Sequence, residues 1–220
     1  MSRSLATLIS YVFHPIWFPV VILVFYLQAN PIAFGLSRPS DDMLLIFQTL
    51  IICLILPMVS MVVMWRIKLV SSLHMDNRME RIGPYIAMLI FLLWYYLNIN
   101  QYGVAPIYRL YILGTLISLG LVFLSNLFVK VSAHTTGVSG ALINLVIAKQ
   151  RFDFSELPFR ISSVPYILSF DIIVIIFILI LLIVLLSRFY LKKHTLTELF
   201  GGIVIGFLGQ ILALRLIEII

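Results

Sequence analysis

The run Ile172-Ile173-Val174-Ile175-Ile176-Phe177-Ile178-Leu179-Ile180-Leu181-Leu182-Ile183-Val184-Leu185-Leu186 decides the fold class. It closes an apolar segment over 164–186 whose only charged residue is Asp171. A helix needs about 20 apolar residues to cross the hydrocarbon core of a bilayer, and this segment supplies them. Working outward, further apolar segments stand near 6–28, 43–65, 84–99, 108–129, 134–148 and 199–217. The composition agrees: 62% of the 220 residues are hydrophobic and 11% charged, with a mean hydropathy of +1.14. A soluble domain carries roughly 45–50% apolar and about 25% charged residues. The pattern predicts an all-α, polytopic integral membrane helical bundle of six to seven transmembrane helices, forming one domain over 1–220.

Start signals support these boundaries. Ser40-Asp41-Asp42 precedes the second segment, and Pro84 and Pro106 open the third and fourth, as N-terminal caps and first-turn prolines do. The first segment follows Arg3, but its length and the interruptions at His14-Pro15 and Pro19 point to a retained span rather than a cleaved signal peptide. Cys53, the single cysteine, excludes an internal disulfide framework. The segments 84–99 and 134–148 are short. If both begin low on one side, they leave a recess there, the kind of place where polar groups survive in a membrane.

With seven spans, the N-terminus, the 66–83 loop, the 130–133 turn and the 187–198 loop share one face. That face collects Arg78, Arg81, Lys130, Ser132, His134, Arg188, His194 and Glu198. Each has an ordinary reading, since arginines and lysines anchor loops at head groups, Ser132 suits an N-cap, and Glu198 suits a solvated helix start. Together they describe chemistry. His194 and Glu198 are four residues apart, so on a helix the carboxylate holds one imidazole nitrogen while the other faces a substrate. That makes His194 a candidate nucleophile or base. Arginine forks, backbone N–H groups at a helix N-terminus and a hydroxyl are what a phosphate group requires. Two histidines on separate helices, His194 and His134, can divide nucleophilic attack and proton donation. No P-loop and no paired carboxylates at metal-binding spacing occur, so chemistry without metal or cofactor is expected.

These residues fall in a recognisable order. Ser187-Arg188, five residues, His194, three residues and Glu198 resemble the third motif of the type 2 phosphatidic acid phosphatase superfamily. Val131-Ser132-Ala133-His134 resembles a relaxed form of its second motif, Pro-Ser-Gly-His. Arg81-Ile82-Gly83-Pro84 resembles a divergent first motif, normally a Lys followed seven residues later by Arg-Pro. The resemblance implies that His194 attacks phosphorus and becomes a phosphohistidine, that Glu198 orients it, and that His134 protonates the leaving alkoxide. Arg81, Arg188, Ser132 and the backbone N–H near Ala133 would bind the phosphoryl oxygens. His74 stands where the family has Lys, which makes Arg78 the candidate substitute and Lys68 a weaker one. Glu198 replaces the usual Asp.

The expected partners are the bilayer and a membrane lipid with a phosphate or pyrophosphate head group, not nucleic acid. Phosphatidic acid, phosphatidylglycerol phosphate, isoprenyl pyrophosphates and lipid A phosphates all fit. The candidate face holds nine of the fifteen Lys and Arg and the other face five. Without the proposed ligands Arg78, Arg81 and Arg188 the count is six against five, so charge favours neither orientation. The compact, loop-poor build suggests a bacterial inner membrane, and resemblance to bacterial members of the family, which often act on the outer face of that membrane, implies a site on the periplasmic side. Two other classes stay open: a lipid-phosphate binding protein without turnover, and a small transporter with Asp171 and Glu218 as coupling acids.

Overall fold

The computed structural model describes residues 2–219 apart from Leu73, His74, Asp76 and Ser163; the side chains of Glu218 and Ile219 are also outside the description. The chain is 77% helical. Helix α1 (Arg3–Val12) ends where Pro15 removes a backbone donor, and α2 (Phe18–Ala29) restarts the same crossing after a single 3-10 turn, Pro15–Trp17. Asp42 caps α3 (Met43–Leu50) by accepting the Leu45 N–H at 3.0 Å. One π-helical turn, Ile51–Ile55, carries α3 into α4 (Leu56–Arg66). Helix α5 (Ile82–Gln101) follows a 3-10 turn at Arg78–Arg81, and α6 (Pro106–Asn126) opens on Pro106. Helix α7 (Ala133–Arg151) leads to a hairpin of β1 (Glu156–Ile161) and β2 (Val164–Ser169), antiparallel with Glu156 opposite Ser169. The chain closes with α8 (Phe170–Tyr190) and α9 (Leu196–Ile219).

Among the described residues six helical stretches are long and apolar enough to cross a membrane: Arg3–Ala29, Pro31–Arg66, Arg78–Gln101, Pro106–Asn126, Phe170–Tyr190 and Leu196–Ile217. This is a polytopic all-α membrane bundle. The segment expected at 134–148 is the exception in kind. It forms α7, whose Thr135, Thr136, Ser139 and Asn144 are buried. A helix shielded from lipid on every side can carry polar groups wherever neighbouring helices satisfy them.

Two expectations need correction. The 164–186 segment is not helical from its start: Val164–Ser169 pairs as β2, and the helix runs instead from Phe170 to Tyr190. The third segment is not short, because the 3-10 turn extends it to Arg78–Gln101, 24 residues. It therefore leaves no recess by its length. The stretch Arg3–Ala29 is interrupted where His14-Pro15 indicated, with His14 at the break.

Small residues set the closest helix contacts. A Cβ on Gly202 would lie 2.2 Å from Thr135 Oγ1 and 2.6 Å from the Ser132 carbonyl; one on Gly206 would lie 2.0 Å from Ser139 Oγ. Helices α9 and α7 thus run side by side at backbone contact, as small-residue faces allow without help from the hydrophobic effect. Polar side chains lock the interior further along. The Tyr26 hydroxyl donates to Asn144 Oδ1 at 2.5 Å, Asn144 donates to Gln210 Oε1 at 3.1 Å, and Gln210 donates to the Tyr111 carbonyl at 3.3 Å. That chain ties α2, α7, α9 and α6 together.

Candidate active site

The α7–α9 contact brings two helix starts together. The Ser132 N–H donates to the Glu198 carbonyl at 3.2 Å, and Thr135 Oγ1 donates to the Leu199 carbonyl at 3.0 Å. Ser132 caps α7, its hydroxyl accepting from the Thr135 N–H at 3.4 Å, and is fully buried. The N–H groups of Ala133 and His134 head the helix, where no carbonyl of the helix itself can reach them.

Local geometry aims His194. Helix α8 ends in paired reverse bonds, Lys193 N–H to the Arg188 carbonyl at 3.2 Å and Lys192 N–H to the Phe189 carbonyl at 2.9 Å. Lys192 holds the left-handed position of this cap at φ 53°, a place that usually falls to glycine. Thr195 Oγ1 then accepts the Glu198 N–H at 3.3 Å, starting α9. Glu198, in the first turn, reaches back past the cap to His194, with Oε2 2.7 Å from Nδ1. The expected pair is formed. A carboxylate only accepts, so Nδ1 carries the proton and Nε2 holds the lone pair. His194 is 7% exposed. Burial, followed by the Arg188 and Lys130 charges, lowers its pKa to about 4 against the opposing Glu198 hydrogen bond. At neutral pH the ring is uncharged.

His134 lies across the bundle on α7. Its Nε2 is 3.1 Å from the Ser10 carbonyl, which can only accept, so Nε2 carries a proton and Nδ1 is the exchangeable atom. Against it stands His14, edge to face, with ring centroids 4.9 Å apart. Arg188 lies within electrostatic reach of His14, His134, His194 and Arg81. Its Nε is buried with no hydrogen-bond partner among the described residues. Arg81 donates through Nε to the Met75 carbonyl at 3.1 Å and hydrogen-bonds Tyr85. Ser187, the neighbour of Arg188, shares a hydrogen bond with Ser10 at 3.1 Å, which ties α8 to α1.

Family models, curated proteins and solved structures were each compared with this chain, and none matches.

The structure therefore gathers Arg81, Arg188, His134, His194 and Glu198 at one end of the bundle. Arg78 is placed differently: its Nη1 donates to the Phe128 carbonyl and its own carbonyl accepts from Asn126 Nδ2 at 2.8 Å, so it fastens the Arg78–Arg81 turn to the end of α6. His74 lies outside the described residues. Beside His194 and Glu198 a cavity of about 980 Å³ opens between the end of α8 and the start of α9. Leu186, Phe189, Tyr190 and Leu196 form its apolar wall, with Lys130 and Lys193 at its rim. No group of three or more His, Cys, Asp or Glu among the described residues is placed to hold a metal ion. Sequence reasoning passed over His14 and Ser10. The signal for both was His14-Pro15, a polar residue and a helix breaker inside an apolar span.

Proposed function

We propose that the chain is a membrane-embedded lipid phosphate phosphatase of the type 2 phosphatidic acid phosphatase kind, acting on a phosphomonoester or pyrophosphate. One observation carries the reading: Nε of the partly buried Arg188 guanidinium has no acceptor among the described residues, and the group stands within the field of an uncharged His194 already oriented by Glu198. An unpaired buried charge is costly, and a phosphoryl group removes that cost while presenting phosphorus to His194.

His194 Nε2 attacks phosphorus, a P–N bond forms and the P–O bond to the lipid breaks. A phosphate group that binds singly protonated passes its proton to His134 Nδ1, and the imidazolium so formed, held by the Ser10 carbonyl, gives that proton to the leaving oxygen. Water then attacks the phosphohistidine, returns a proton to His134 and releases phosphate. Arg188, Arg81 and the first N–H groups of α7 stabilise the charge on the phosphoryl oxygens. The cleft between α8 and α9 lets lipid tails stay in the bilayer while the head group reaches the site. The proposal puts this end of the bundle on the periplasmic side of a bacterial inner membrane. In the transporter reading Asp171 would be a relay, but it is paired with Lys149 at the first turn of α8, and the Glu218 side chain is outside the described residues.

The test is phosphate release by purified protein given phosphatidic acid and an isoprenyl pyrophosphate. His194→Ala is expected to lower turnover about a thousandfold or more, as loss of a nucleophile does. Equal turnover by the variant overturns the mechanism, whereas phosphate binding without turnover by wild type selects the binding-protein reading.

A further inference from the structure

Arg188 is not the only donor at this site without an acceptor. His14 sits at the break between α1 and α2, where Pro15 stops one helix and Pro19 lies in the first turn of the next. Its Nδ1 accepts the Ile16 N–H at 3.3 Å, which caps the short turn. In the uncharged ring the proton is therefore on Nε2, and Nε2 has no hydrogen-bond partner among the described residues. The ring cannot swing away freely. Pro15 packs against α7 so closely that a Cβ on Gly137 would meet Pro15 Cβ at 2.6 Å, and the His14 ring stands at 84° to that of His134. An Asn or Ser would cap the turn equally well. What imidazole adds is a second nitrogen, held against His134 and within reach of the Arg188 charge. Arg188 Nε is buried without an acceptor, His14 Nε2 is a donor that no side chain or carbonyl of the described residues takes up, and both groups stand beside the same histidine. One anion between them satisfies both.

We propose that His14 is a phosphoryl ligand of this site, its Nε2–H and the Arg188 guanidinium receiving oxygens of the phosphoryl group beside His134. The inference rests on the phosphatase reading and adds a residue from the first span to the binding machinery. It also gives the broken first span a purpose, because an unbroken helix would leave neither a capping turn nor a fixed imidazole at this point.

The experiment uses full-length protein in detergent, labelled with ¹⁵N-histidine and titrated with inorganic phosphate and with orthovanadate. His14→Asn keeps the cap acceptor but lacks the second ring nitrogen; His14→Phe keeps the ring packing and lacks both nitrogens. Phosphate is expected to move the Nε2 resonance of His14 in wild type, and His14→Asn to weaken phosphate and vanadate binding about tenfold, as loss of one charge-assisted hydrogen bond does. The KM for lipid phosphate rises in step. Unchanged anion affinity in folded His14→Asn overturns the proposal and leaves the phosphatase reading standing. Should that variant not fold, His14→Phe takes its place, and a His14 resonance unmoved by saturating phosphate in wild type is equally fatal. Failure of wild type to bind either anion overturns both readings.

Discussion

The two ends of the bundle treat charge in opposite ways. At the end formed by the hairpin and the 100–107 loop the charges have protein partners: Lys149 pairs with Asp171, Arg38 with Asp41 at 3.2 Å, and Arg109, though its Nε is buried without a partner, donates through Nη1 to Asn100 at 2.7 Å. At the other end Arg188 sits within reach of Arg81 with its Nε lacking an acceptor among the described residues, and the Glu198 carboxylate is committed to His194. Charges that meet partners close to water contribute little and ask for nothing more. A guanidinium held partly inside the bundle with an unsatisfied Nε supports the anion site proposed above. The contrast teaches where to look for function in a chain whose surface is otherwise lipid-facing.

Substitutions sharpen this contrast in order of expected effect. Arg188→Met is expected to cut kcat/KM about a hundredfold, the scale for loss of one electrostatic donor to a transition state, without lowering the thermal midpoint, because removing an uncompensated charge does not destabilise the bundle. A large drop in midpoint would mean that Arg188 serves the fold instead. Glu198→Gln comes next, at about tenfold in kcat, with a signature in the pH profile. The active His194 is the neutral ring, so activity holds at neutral pH and falls as pH drops through the lowered His194 value. Glu198 raises that value, so the variant's acid limb moves to lower pH; a limb that moves upward would contradict the tautomer assigned here. Lys192→Gly, which relieves a left-handed lysine at φ 53°, should stabilise the protein by about 1 kcal/mol in denaturation. Asp171→Asn, at the opposite end, breaks a pair whose side chains are 40% and 66% exposed. It should change stability by less than about 1 kcal/mol and leave phosphate release untouched. A loss of activity there would blur the distinction between the two ends.

Much of this was readable in one dimension because a bilayer imposes a simple rule. The lipid-facing spans are legible as apolar runs, and the His194–Glu198 pair as a four-residue spacing on a helix start. Helix α7 is less apolar and reads as short, since its neighbours and not lipid surround it. The run at 164–169 reads as helix by hydropathy, yet Val164 and Pro165 pair with Arg160 and Ile161 as a hairpin, a choice that depends on a partner strand. Arg78 and Arg81 are three residues apart and look equivalent in sequence. The turn between them sends one guanidinium to the end of α6 and leaves the other beside Arg188's field.

The sequence by itself determined that this is a membrane bundle with an oriented histidine at one helix start, because hydropathy and helical spacing are local properties. Tertiary structure alone decided that His14, His134 and Arg188 meet there, and that Arg188 Nε has no acceptor among the described residues. Those facts depend on the backbone contact of α7 with α9 through Gly202 and Gly206 and on the break at Pro15, and no spacing along the chain encodes which side chains such contacts leave without a partner.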